Sequence, residues 1–369
     1  MERTQCLYEN TVEFNLSESG VTPLRLGEVI DGEMDTDELL STRLGYPSAG
    51  GTQALREHIA DFHGARAENV RVTNGSSEAN FMAFWGLLEK GDRAAILLPN
   101  YMQTWGLARH FAGRADTFRL VLRRAGGASR WALDQDSLRR AVTPKTKVIL
   151  VTNPNNPTGA VFNEDEMSAV VAAARNVGAW IVSDEVYRGA EVEGAMSPSF
   201  WGRYPRVLVT SGLSKAFGLP GLRVGWVVGP PKLAEKLESF HDYLTLTPNM
   251  LSDRLATLAM KRPRREMLLA RTRSIIREQL PYLEEWISGH SAILSYVRPN
   301  AGAIALLRYK LPISSSRLFE RLRIEKSVLI TPGSHFGLPG PFFRVAYGYD
   351  LQRALRGLAR ISEFFASFR

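Results

Sequence analysis

Val148-Ile149-Leu150-Val151-Thr152-Asn153-Pro154-Asn155-Asn156-Pro157-Thr158-Gly159 opens as a strand and closes as a loop. The aliphatic run is of strand length and has the uninterrupted apolar character of a strand buried on both faces, and the Asn-Pro and Pro-Thr-Gly punctuation stops it at once. A helical pattern follows over Glu164–Val177, with Met167, Val170, Val171 and Ala174 on one face. Then comes a second apolar run, Trp180–Ser183. Strand, helix and strand in so short a span form the crossover unit of a parallel sheet, because parallel neighbours need a return connection about as long as a helix.

The same alternation extends in both directions. Ala94–Leu98 lies before this unit, and Val207–Thr210 and Val224–Val228 lie after it. From about residue 70 to 230 the chain therefore reads as α/β, a mainly parallel sheet sandwiched by helices. Pro231–Trp286 is mainly helical, apolar at Leu251, Leu255, Leu258, Ile275, Ile276, Leu280 and Leu283, and long enough to bridge two domains. The tail mixes strands (Ala303–Tyr309, Phe343–Tyr347) with helices (Ser315–Arg323, Leu351–Phe368) in an α+β pattern. The expected division is a large domain over 41–250 and a small domain formed by 1–40 together with 251–369.

Composition narrows the class. With 369 residues, 44% of them hydrophobic and 23% charged, there is material for a large and a small core and no disordered tract. A single cysteine, Cys6, excludes an intramolecular disulfide, and no apolar run reaches the ~20 residues of a membrane span. The beginning of the chain lacks the pattern of a signal peptide, so a cytoplasmic location is expected. The net charge of +8 raises the question of nucleic acid. The densest basic run, Lys261 to Arg265 with Arg271, Arg273 and Arg277, has no interleaved stacking aromatics and reads as a solvated helix face, so no nucleic-acid partner is expected.

Four polar segments fall where strands end, the place where an open parallel sheet binds its ligands. They are Thr73-Asn74-Gly75-Ser76-Ser77-Glu78-Ala79-Asn80, Thr152 to Gly159, Asp184-Glu185-Val186-Tyr187 and Ser211-Gly212-Leu213-Ser214-Lys215. Each alone has a plainer reading, as a helix cap, a turn-rich loop, a salt-bridged acid or a solvated lysine. In this order, with Asn156 28 residues before Asp184, Tyr187 three after it and Arg223 eight after Lys215, they resemble the fold-type-I pyridoxal-phosphate enzymes, specifically the class I/II aminotransferase family.

That resemblance implies a large domain with a seven-stranded type of sheet, a smaller α+β domain, and pyridoxal 5′-phosphate carried by Lys215 as an internal Schiff base. It implies that Asp184 faces the pyridine nitrogen and keeps it protonated, while Asn156 and Tyr187 hold the phenolate oxygen. Gly75, Ser76 and Ser77 at a helix start, with Ser214 and Arg223, match the phosphate ligands. Tyr101 matches the residue that stacks on the ring, and Tyr46 the tyrosine that reaches the neighbouring subunit's phosphate, so a homodimer is expected. Thr245 or Thr247 is a further candidate for a contact across that interface. Arg344, with Asn156, matches the site for the substrate α-carboxylate, which a planar guanidinium binds with two parallel hydrogen bonds. Lys215, Asp184 and Tyr187 are the catalytic candidates, and no metal is expected.

Two positions depart from the pattern. Gly212 stands where many relatives carry Ser or Thr, leaving Ser211 as a candidate replacement, and Asn15-Leu16-Ser17-Glu18-Ser19-Gly20 stands where relatives have a Gly-x-Pro-like segment. The implied activity is transfer of an amino group between an amino acid and a 2-oxo acid. Elimination, decarboxylation or capreomycidine-synthase-like cyclisation of an amino acid is the alternative, since all begin from a stabilised carbanion. A purely regulatory domain is disfavoured, because only about 45 residues precede Tyr46, too few for an added winged helix beside the small-domain segment.

Overall fold

The computed structural model describes residues 2–30, 32–125 and 127–368. Its centre is an eight-stranded sheet built from β1 (Val70–Thr73), β2 (Arg93–Leu98), β3 (Arg114–Ala125), β4 (Ala128–Leu133), β5 (Thr146–Thr152), β6 (Trp180–Asp184), β7 (Val207–Gly212) and β8 (Gly225–Val228). The spatial order is β1-β8-β7-β6-β5-β2-β3-β4. Neighbours from β7 to β3 pair in parallel, β8 runs antiparallel to both of its neighbours, and β4 folds back antiparallel on β3.

The eighth strand exceeds the seven-stranded expectation. It exists because β3 is 12 residues long and turns back at Gly127 to pair Leu120 with Leu133. In this hairpin Phe118 and Leu120 are buried while Arg119 between them is exposed, so one face packs and the other meets water, and Leu122, on the same face as Phe118, is 46% exposed. Its arginine-rich, half-polar sequence lacks the continuous apolar run that revealed the central strands.

Helix boundaries follow from local chemistry. Helix α1 (Ser76–Leu87) begins straight out of β1, with Gly75 as its unsubstituted N-cap. For α2 (Glu164–Val177), Asn163 accepts from the Glu166 amide at 2.9 Å and Glu166 accepts in return from the Asn163 amide at 2.9 Å. Gly178, at φ 68°, closes it in the left-handed region that favours glycine. Glu166 also accepts from Arg130 and from the Leu133 amide, fastening β4 to the helix layer.

The long helix α3 (Arg262–Gly289) corrects the expectation of a solvated basic face. Arg265 is buried and donates to Asp61 at 2.7 Å, Arg271 donates to the Thr22 carbonyl, and Arg273 and Arg277 donate to the carbonyls of Glu191 and Val192. The Glu191 and Val192 carbonyls belong to buried residues and need donors, which Arg273 and Arg277 supply, while Lys261 and Arg262 stay exposed. Beyond α3, strands β9 (Leu294–Tyr296), β10 (Ile304–Tyr309), β11 (Thr331–Pro332) and β12 (Phe342–Ala346) form a second sheet in the order β9-β10-β12-β11. Phe14–Asn15 pairs in parallel with Val328–Leu329, so the amino-terminal segment is tied to this region. Helix α4 (Leu351–Ala366) covers it, with Gly357 allowing close approach of Phe14 and Leu16. No helix among the described residues is long and apolar enough to cross a membrane.

Candidate active site

Three glycines at element ends draw the first part of the site together. Gly75 sits at φ 91°, and a Cβ there would lie 2.4 Å from Nη2 of Arg223. A Cβ on Gly225, where β8 starts, would lie 2.3 Å from the Gly75 carbonyl carbon and 2.4 Å from the Ser76 amide nitrogen. One on Gly212, where β7 ends, would lie 2.8 Å from the Val224 carbonyl oxygen. Only bare backbone lets these ends meet.

Arg223 takes a left-handed conformation, φ 51°, and its guanidinium donates to the Pro220 carbonyl at 3.1 Å and reaches Ser214 Oγ at 3.5 Å. Strain of this kind persists where surrounding structure holds it. The start of α1 and a guanidinium thus converge with the hydroxyls of Ser76, Ser77 and Ser214 on one cavity wall. Helix-start amides and a fixed cation make that wall a site for an anion. Gly212 has no space for a hydroxyl-bearing side chain, and Ser211 Oγ is turned away to the Glu185 carbonyl at 3.3 Å. Ser211 therefore does not supply the contact that relatives make from position 212.

The opposite end of the cavity is acidic. Asp184 closes β6, and its two oxygens accept from the Val186 amide and from Asn80 Nδ2, each at 3.2 Å. Thr210 donates to Asn80 Oδ1 at 2.7 Å, which orients the Asn80 amide toward the carboxylate. Asp184 is only 4% exposed, and burial pushes its carboxyl above the usual range against the opposing pull of Asn80, Val186 and the Lys215 charge. A buried carboxylate of this kind is best satisfied by a cation entering the cavity. Asn80 was not singled out in the sequence. Its signal was a polar residue within the apolar helix run Ala79-Asn80-Phe81-Met82-Ala83-Phe84.

Tyr187 is buried, with Gly302 against its ring. Burial raises its phenol to about 12, against the opposing Arg344 charge and Ser19, so it keeps its proton and acts as a donor near neutral pH. Lys215, Tyr101, Asn156, Tyr187 and Asp184 line one cavity of about 720 Å³, counting its open mouth. Ser19 and Thr152 also line it. Arg344, on β12, is fully buried and donates to Asn156 Oδ1 at 2.9 Å, to Thr331 Oγ1 at 3.2 Å and to the Ser17 carbonyl. The Phe336 ring lies under it, 5.1 Å away. The pair expected at the substrate carboxylate is therefore in direct contact.

Tyr46 is 83% exposed and does not line this cavity. Thr245 Oγ1 and the Thr247 carbonyl accept from Asn74 Nδ2 of the same chain, beside the start of α1. Among the described residues, no group of His, Cys, Asp or Glu side chains could hold a metal ion.

The residues fit pyridoxal 5′-phosphate on their own chemistry. An anion cup, a buried acid held by Asn80 and Val186, hydrogen-bond donors and an amine line the same cavity. The family described as aminotransferase class I and II matches residues 14–361. Capreomycidine synthase of Streptomyces vinaceus is 30% identical over 95% of this chain and 89% of its own length. The aspartate/prephenate aminotransferase of Thermus thermophilus is 30% identical over 86% of this chain and 83% of its own. The structure of a PLP-dependent aminotransferase from Streptococcus suis superposes with a TM-score of 0.91 at 28% identity, covering 100% of this chain and 97% of that one.

Proposed function

We propose, from the premise that this chain belongs to the class I and II aminotransferase family, that Lys215 is the cofactor-bearing and proton-transferring lysine of a pyridoxal-phosphate-dependent aminotransferase. The observation that carries this is the convergence of Lys215, Asp184 and the Ser76–Ser77–Arg223 cup on one cavity. When bound, pyridoxal 5′-phosphate supplies an electron sink for the bond broken at the substrate α-carbon. Asp184 would face the ring nitrogen. Gly75, Ser76, Ser77, Ser214 and Arg223 would hold the phosphate, and Asn156 and Tyr187 would donate to the ring oxygen. Tyr101 would cover one ring face.

Arg344 receives the substrate α-carboxylate, with Asn156 fixing the guanidinium beside it. The Lys215 amine would hold and move the proton released at the substrate α-carbon, the shuttle that amino-group transfer requires. The same geometry serves both halves of the exchange, amino acid in and 2-oxo acid out, then the reverse. The large and small domains, 41–250 against 1–40 with 251–369, would supply Lys215 and Arg344 respectively.

The working unit in this reading is a homodimer in the cytoplasm. Leu40, Leu44 and Tyr46 are 80%, 79% and 83% exposed within one short segment, an apolar surface suited to a partner subunit. Likeness to capreomycidine synthase, with the Ser17-Glu18-Ser19-Gly20 segment, favours a second reading in which the same carbanion leads to elimination or cyclisation.

Borohydride reduction of the holoenzyme followed by peptide mapping tests the assignment. The pyridoxyl group is expected on Lys215, and finding it on another lysine refutes it. Product analysis separates the two readings, because transamination yields a 2-oxo acid and cyclisation retains the substrate nitrogen.

A further inference from the structure

The segment Ser17-Glu18-Ser19-Gly20 runs between the two anchors of the site. The Ser17 carbonyl accepts from Arg344, and Ser19 lines the Lys215 cavity. A Cβ on Gly20 would lie 3.5 Å from the Ser214 carbonyl oxygen, 3.8 Å from Tyr349 Oη and 4.0 Å from Lys215 Cδ. Glu18 is therefore pinned beside the reaction centre by its neighbours on both sides.

Its carboxylate is held by two neighbours. It accepts from Gln5 Nε2 and lies against the hydroxyl of Tyr349. Burial, with the Glu18 charge, pushes the Tyr349 phenol upward, so Tyr349 stays a donor and helps hold the carboxylate in place. Glu18 and Tyr349 together line a second cavity of about 810 Å³, and the Gly20 Cβ position lies close to both Tyr349 Oη and Lys215 Cδ. Glu9 and Asp350 add negative charge to this cavity, and Arg353, which also lines it, donates to the Glu13 carbonyl at 3.0 Å.

Resting on the assignment of Lys215 and Arg344 to the reaction, we propose that Glu18 is a specificity residue that admits amino acids whose side chain ends in a cation, a guanidinium or an ammonium, and rejects those ending in a carboxylate. A substrate with its α-carboxylate on Arg344 and its α-carbon beside Lys215 would direct its side chain past Gly20 toward the Glu18 carboxylate. An acidic side chain meets repulsion there. A guanidinium gains a charge-assisted pair with Glu18, to which Tyr349 is already directed.

The test uses holoenzyme and desamino analogues that cannot react, with binding measured by calorimetry and by the cofactor's absorbance. Desamino-arginine is expected to bind about 10- to 100-fold more tightly than glutarate, as one charged hydrogen-bonded contact implies. Glu18→Gln should remove that preference while changing the affinity for uncharged valerate by less than about threefold, and Glu18→Asp should keep part of it. Equal or tighter binding of glutarate by the unaltered enzyme overturns the proposal, as does a Glu18→Gln variant that loses all ligands equally. A separate panel of amino acids locates the fault. Conversion of the bound cofactor by aspartate but not by arginine, ornithine or lysine overturns the specificity alone. Failure of every amino acid overturns the site assignment with it.

Discussion

Replacing Asp184 by Asn tests the acidic end of the cavity, because the two side chains match in shape and differ in charge. In the present network one Asp184 oxygen accepts from Val186 and the other from Asn80, whose own orientation is set by Thr210. An asparagine offers one acceptor to two donors, so a single hydrogen bond is lost, at a cost of about 1–3 kcal/mol. Acting the other way, the folded apoprotein carries a carboxyl raised above its ordinary value of 3.8 by burial. A raised acid favours folding while protonated, and that contribution is lost as pH rises from 3.8 through the folded value. The variant lacks this loss. Its stability relative to the parent, measured without cofactor, should therefore improve as pH rises from about 4 to about 8.

With cofactor the sign reverses. Removing one partner of a buried ion pair costs about 3–5 kcal/mol, or roughly two to four orders of magnitude in affinity. The thermal shift produced by cofactor should shrink accordingly, and α-proton removal should slow by ~10³-fold or more. Melting curves of apo and cofactor-saturated protein across pH, with single-turnover exchange of the substrate α-proton, read both effects. A stability difference independent of pH together with undiminished cofactor stabilisation, or activity within ~10-fold of the parent, would refute the reasoning.

Gly225→Ala should weaken cofactor affinity by at least ~10-fold and destabilise the fold by about 1–3 kcal/mol, since its methyl meets backbone at 2.3 Å, whereas Gly221→Ala, with nothing within 4 Å, should be silent in the same titration. Arg344→Lys should raise the KM for amino acids by about 10- to 100-fold, because an ammonium cannot reproduce the guanidinium fork, while leaving Lys215 trapped by borohydride as before. Tyr46→Phe and Lys215→Ala, each inactive alone, should recover roughly a quarter of parental activity when their subunits are exchanged at random. No recovery despite proven exchange, or full activity in a demonstrated monomer, would remove Tyr46 from the site.

Much of this protein could be read from its residues in order. The central strands declared themselves because burial on both faces demands an unbroken apolar run, as in Val148–Thr152, and α2 did so because Asn163, Glu166 and Gly178 are its local start and stop. Asp184, Lys215, Asn156 and the Gly75-Ser76-Ser77 turn were legible because they sit at strand ends, where sequence position already determines spatial position. Other features depended on contacts between distant segments. The β3–β4 hairpin escaped notice since its half-exposed strands carry arginines, and the basic face of α3 looked solvated because the carbonyls it serves, at Thr22, Glu191 and Val192, lie far away in the chain. Asn80 gained its place from Thr210 and Asp184, and Glu18 gained its place from Arg344, Lys215 and Tyr349. Local propensity and periodicity are properties of neighbours along the chain and were therefore written in the sequence, whereas the partner of a buried polar group is chosen only when packing brings separate elements together.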